Sequence, residues 1–244
     1  MPNPTAAMLV IGDEILSGRT RDANMTHLAT RLGQHGLDLA EVRFVRDIHE
    51  QIIRAVNELR ASWDHVFTTG GIGPTHDDIT ADAVAVAFDV EIAVRDDARD
   101  ILSRHCASLG LELNAGRLRM ARIPGDARLI PNSVSAAPGF SLGNVHVMAG
   151  VPKIFQTMLD EVLKTIPGGM PSVSATLELD TVESELAGPL QDIAREFSDL
   201  QIGSYPFRTA DSRGVNVVIR GTAEERVRAA EARARSVFGK LLSD

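Results

Sequence analysis

Cysteine, aromatic residues and net positive charge are all scarce in this chain, and each shortage removes a class of function. One cysteine among 244 residues, Cys106, precludes an internal disulfide and a cysteine-rich zinc site. Its neighbours Ile101 to His105 read as helix, where a lone cysteine behaves as a small buried hydrophobe. Aromatics make up 4% of the chain, so aliphatic side chains must fill the core, and an apolar fraction of 44% suffices for one. A formal net charge of -8 disfavours broad electrostatic attraction to nucleic acid or anionic lipid. No run approaches the about 20 apolar residues that span a bilayer, and Met1-Pro2-Asn3-Pro4 opens without a cationic leader. These absences predict a cytoplasmic protein with no membrane and no nucleic-acid partner.

What is present is an alternation of strand and helix. Ala7 to Ile11 reads as a buried strand ending at Gly12, and Met25, Leu28 and Leu32 follow at helical spacing. Leu37 to Val45 reads as a second strand ending in Arg46-Asp47. Ile52, Ile53, Val56 and Leu59 then line a helix, and His65-Val66-Phe67 is a third strand. A mostly parallel sheet with helices on both faces is expected. Three prolines between Arg122 and Gly139 predict irregular or edge structure there. Pro167-Gly168-Gly169-Met170-Pro171 reads as a linker, dividing residues 1–169 from residues 170–244. The second segment predicts a small α+β module. Its last helix is expected to start with a capping box, Thr222 and Glu225, and to bury Val227, Ala230, Ala234, Val237 and Leu241.

The richest string is Thr68-Thr69-Gly70-Gly71-Ile72-Gly73-Pro74-Thr75-His76-Asp77-Asp78-Ile79-Thr80. A strand empties into a glycine turn, which feeds a helix N-terminus. Such a junction presents free N–H groups and a positive dipole end to an anion. It is not a Walker loop, because no lysine is near, and His76 stands where a dinucleotide fingerprint needs its third glycine. The string also closes on two carboxylates, which repel a bare phosphate unless a cation or proton intervenes.

Ligands of parallel α/β sheets bind beyond the carboxyl ends of the strands. Four segments should meet there: Gly12 to Gly18, Arg46-Asp47, the glycine loop, and Gly150-Val151-Pro152. They would bring Asp13, Glu14, Asp47, Asp77 and Asp78 to one rim, an oxygen-rich set suited to Mg²⁺ or Mn²⁺. Asp22 and Asp47 equally suit helix caps, whereas a cap at Asp78 would explain one acid and not the whole string. Lys153 is the best-placed cation for a phosphate, although surface solvation explains it as well.

With these strings assembled, the chain resembles the molybdopterin-binding family. That family includes molybdenum-cofactor biosynthesis enzymes and the competence/damage-inducible protein A (CinA) type. The resemblance is carried by Ile11 to Gly18, Asp22 and Asn24, Thr68 to Thr80, Ala137-Pro138-Gly139-Phe140 and Gly150-Val151-Pro152. The wording of Gly12 to Asn24 and of Gly70 to Thr80 is most similar to the amino-terminal domain of eukaryotic-type FAD synthases. The segment after the linker resembles the KH-related module that follows it. Without a Gly-x-x-Gly clamp, and with 12 acids against 9 bases over residues 171–244, that module is not expected to bind RNA.

The resemblance implies a three-layer αβα fold and a pocket for molybdopterin or an adenine dinucleotide. It assigns functional importance to Asp47 and Asp78. It implies hydrolysis of FAD or ADP-ribose dependent on Mg²⁺, Mn²⁺ or Co²⁺, with K⁺ as a further candidate, in a homo-dimer or homo-trimer. Expected metal ligands are Asp13, Glu14, Asp47 and Asp78. Expected ligand contacts are Gly12, Asp22, Asn24, Thr69, Gly70, Gly71, Gly73, Thr75, Asp77, Pro138, Gly139, Gly150 and Lys153. Neither FAD synthesis nor nicotinamide-nucleotide deamidation is expected, since the segments that carry them in relatives are not in this sequence.

Overall fold

The computed structural model describes residues 2–209 and 213–242, which fold as two compact units divided between Gly169 and Met170. In the first unit the order is β1 (Thr5–Ile11), α1 (Asp13–Leu16), α2 (Asn24–His35), β2 (Asp38–Val45), α3 (His49–Ser62), β3 (His65–Thr69) and α4 (Thr80–Ala87). It continues with β4 (Ile92–Val94), α5 (Asp96–Ser108), α6 (Ala115–Arg119), β5 (Arg122–Pro124), β6 (Arg128–Ile130), β7 (Gly139–Leu142), β8 (Val145–Met148) and α7 (Pro152–Leu163).

The six-stranded sheet has the order β2-β1-β3-β8-β7-β6. β2, β1, β3 and β8 run parallel, and β7 and β6 complete the sheet antiparallel. Strand β1 shows why the unit has three layers. Its alternate residues Ala7, Leu9 and Ile11 pack with Ile52, Val56 and Leu59 of α3, whereas Ala6, Met8 and Val10 pack with Leu28 and Leu32 of α2 and Phe155 and Leu159 of α7. A strand apolar on both faces can be buried only if both faces are covered. Each of its large side chains gains roughly 1.5–3 kcal/mol by leaving water. The proline-bearing stretch forms β5 and the edge strand β6, as proline's missing N–H requires.

The second unit comprises β9 (Val173–Leu179), α8 (Glu183–Glu196), β10 (Gln201–Arg208), β11 (Arg213–Gly221) and α9 (Glu224–Phe238). Its antiparallel sheet, order β10-β11-β9, shares one core with both helices, built on Leu177, Leu179, Val217, Ile219, Leu186, Ile193, Val227 and Phe238. The expected capping box is not formed. Helix α9 begins at Glu224, after Ala223, with no side-chain cap, so Thr222 lies too early to reach the first turn. Phe238 is buried at the end of this helix and Val237 is exposed, because a four-residue step from Ala234 continues the inward stripe.

Candidate functional site

The carboxyl ends of the four parallel strands converge on one hollow of about 580 Å³. Main-chain bonds stitch the strand ends together: Gly12 N–H donates to Val45 O, and Gly70 N–H donates to Met148 O, both at 3.2 Å. Gly70 and Gly71 take φ of 103° and 68°, a region that side chains resist. A Cβ on Gly70 would lie 2.1 Å from Ile11 O, and one on Gly71 would lie 2.1 Å from Thr80 Oγ1. Thr80 locks this turn. Its N–H donates to Gly71 O at 2.9 Å and its hydroxyl donates to Gly70 O at 3.0 Å, both from a fully buried position.

Glu14, Asp47, Asp77 and Asp78 line the hollow with Gly12, Gly70, Gly71, Gly73 and Gly150. Asp47 and Asp78, from two separate loops, therefore share one space. Burial pushes the Asp47 carboxyl above the usual carboxylate range. The Asp13 N–H, donating at 2.8 Å, opposes this, and the negative Glu14, Asp13 and Asp77 add to it. Asp78 caps no helix. Its Oδ2 accepts from the N–H and hydroxyl of Thr75 at 2.8 and 2.6 Å, which makes Thr75 a support for Asp78 rather than a wall of the hollow. The same hydroxyl also holds the neighbouring Asp77 below the usual range, although its well-formed bond goes to Asp78.

A family model described as "Probable molybdopterin binding domain" matches residues 7–168, the unit that carries this hollow. The chain belongs to that family. A second model, "FAD synthase, middle domain", matches residues 171–241. Among relatives, a CinA-like protein of Citrifermentans bemidjiense is 36% identical, covering 90% of this chain and 54% of that one. A protein named probable FAD synthase from Caenorhabditis elegans is 35% identical, covering 83% and 44%. The chain thus spans about half the length of these relatives. A solved structure of CinA from Thermoplasma acidophilum, itself described as of unknown function, superposes with a TM-score of 0.61 at 31% identity. It covers 67% of this chain and 98% of that one.

Within this molybdopterin-binding-type unit, several expected site residues stand apart from the hollow. The carboxylate of Asp13 accepts both Arg46 Nε and Nη2 at 2.9 Å and faces a separate surface depression. Arg46 also holds that carboxyl below its ordinary range. Among the described residues, no three His, Cys, Asp or Glu side chains are gathered as metal ligands, so Asp13, Glu14, Asp47 and Asp78 are not assembled as a quartet. Asp22 accepts the Met25 N–H at 2.9 Å and thereby caps the start of α2. It lines, with Asn24 and Thr69, a side hollow of about 70 Å³.

Asn24 is a brace. Its amide Nδ2 donates to Thr69 Oγ1 and to Gly150 O, both at 2.8 Å, tying the ends of β3 and β8 together. Pro138 lines a narrow space behind the glycine loop, and Gly139 is a buried strand residue whose Cβ would strike Val147 O at 2.4 Å. Lys153 is exposed and lines no part of the main hollow. Conversely, Met120 and Asn132 line it although neither was expected there. Asn132 had a readable signal, the turn-forming Pro131-Asn132-Ser133. Its Oδ1 accepts the Val134 N–H at 2.9 Å and its Nδ2 donates to Ala137 O at 2.9 Å, shaping that wall.

Proposed function

We propose that the protein is a divalent-metal-dependent pyrophosphatase acting on FAD, ADP-ribose or a related dinucleotide. The observation that supports this reading is the shared hollow: a raised-pKa carboxyl, Asp47, stands with Asp78 beside a glycine loop suited to a diphosphate. The apolar walls Ile72, Met120, Val151 and Ile154 suit a flat heterocycle. Water adds to one phosphorus of the diphosphate, and the bridging P–O bond breaks. Asp47 accepts the water proton, and AMP leaves together with FMN or ribose 5-phosphate.

A hard cation fits this donor set through few side chains, because Mg²⁺ is held by one or two carboxylates together with substrate phosphates. One or two of Glu14, Asp47 and Asp78 would hold it, and its positive charge would offset the carboxylate repulsion that adds to the burial raising Asp47. When bound, such an ion polarises a phosphoryl oxygen. The test is AMP release from FAD and ADP-ribose in the presence of Mg²⁺, Mn²⁺ or Co²⁺. Release no greater than from an Asp78→Ala variant would remove the hydrolase reading.

The same apolar walls favour a second reading, binding of a pterin or nucleotide without turnover. Calorimetry showing tight binding with no product would select it. Cytoplasmic residence and a dimeric or trimeric state are part of the proposal, and mass in solution checks the latter.

A further inference from the structure

The hollow carries four acids, Glu14, Asp47, Asp77 and Asp78, and among the described residues no basic one lines it. A phosphorylated ligand meets repulsion of about 1 kcal/mol per charge pair at 4 Å even in water, and more where water is excluded. Several arginines lie around this region, Arg21 among them at the side hollow, and two are already neutralised. Arg46 is held by both oxygens of Asp13 at 2.9 Å. Arg122 donates to both oxygens of Asp82, at 2.9 and 2.6 Å.

Arg119 differs from both. It ends α6, half-buried, and lines with Gly71, Gly73 and Asp78 the narrow space behind the glycine loop. Its Nη2 donates to the main-chain carbonyl of Asp78 at 3.2 Å, and its Nε is buried without a partner. Among the described residues no carboxylate is paired with it. A guanidinium is ionised at any relevant pH, so this is a positive charge with no ion-pair partner among the described residues, set against the back of the loop.

We infer that Arg119 is the charge-balancing and positioning residue that makes the Gly71–Gly73 loop an anion site for a diphosphate. It fastens the backbone at Asp78 and offsets the acidic lining from behind, without entering the hollow. The inference rests on the proposed reading that the ligand is a diphosphate, and it does not require turnover.

The experiment titrates inorganic pyrophosphate into the full chain by calorimetry, without metal, at low and at physiological salt, with thermal unfolding as a fold check. Arg119→Met should weaken binding by roughly tenfold, about 1.4 kcal/mol, and flatten its salt dependence, while Arg119→Lys keeps most of both. Equal losses in the two variants would assign Arg119 to the hydrogen bond alone and overturn the inference. So would an unchanged Arg119→Met, or a wild type that does not bind pyrophosphate. AMP release is read separately. Arg119-dependent pyrophosphate binding without hydrolysis keeps this inference and removes the hydrolase. Hydrolysis with Arg119-independent binding does the reverse.

Discussion

The two ends of the six-stranded sheet treat titratable groups in opposite ways. At the amino end, His65 and His146 are stacked with ring centroids 5.5 Å apart. His65 Nδ1 meets His146 Nε2 at 3.2 Å, and Ser141 Oγ meets His146 Nδ1 at 2.9 Å. Both rings are pushed toward the neutral form, chiefly by burial, and His146 is lowered to about 3. At the carboxyl end, four acids face a common hollow with no cationic side chain among its described lining residues, and Asp47 is raised. One end keeps its two imidazoles neutral and paired with each other. The other keeps an acidic lining, and such unresolved electrostatics mark functional sites.

Removing the acids should break this contrast most severely. Asp47→Asn is expected to lower AMP release by roughly 10²–10⁴-fold, the range for loss of a general base, with the thermal transition retained. A variant of unchanged rate would place the base elsewhere. Altering the loop comes next. Gly71→Ala drives a methyl into Thr80 Oγ1 and forces a side chain into a left-handed backbone. Urea unfolding should show a loss of about 1–3 kcal/mol.

The histidine end predicts the pH dependence. In the unfolded chain His146 takes up a proton near pH 6.5, whereas in the fold it does so only near pH 3. The unfolded state therefore binds more protons between these values, and stability falls as pH drops through that window. The slope attributable to His146 is at most roughly 1.4 kcal/mol per pH unit. His146→Gln should flatten it, and an identical slope in that variant would contradict the assignment. The smallest effect belongs to Asp13. Its carboxylate pairs with exposed Arg46 outside the hollow, so Asp13→Asn should leave ADP-ribose affinity within about twofold, as an exposed ion pair contributes little.

The parts of this molecule legible in the sequence are those written in short periods. The unbroken apolar run Ala7 to Ile11, helical spacing in Ile52 to Leu59 and the Gly70-Gly71-Ile72-Gly73 turn each depend on neighbours in the chain, and the three-layer fold follows from them. Site details depend on distant partners. Asp13 looks like a rim acid until Arg46, 33 residues away, takes its carboxylate. Asn24 looks like a ligand contact until Gly150, 126 residues away, accepts its amide. Arg119 carries no local signal at all; only the fold places it behind the glycine loop. Of the acids that suit caps, Asp22 caps α2, whereas Asp78 bonds back to Thr75, which a turn permits and a capping pattern does not reveal.

A crystal structure with ADP-ribose and Mg²⁺ tests the account most directly. The diphosphate should accept hydrogen bonds from the loop amides between Gly71 and Gly73, with Asp47 and Asp78 on the same side of it. A diphosphate seated in the Asp13–Arg46 depression, or anywhere that leaves those two aspartates facing empty solvent, would contradict it.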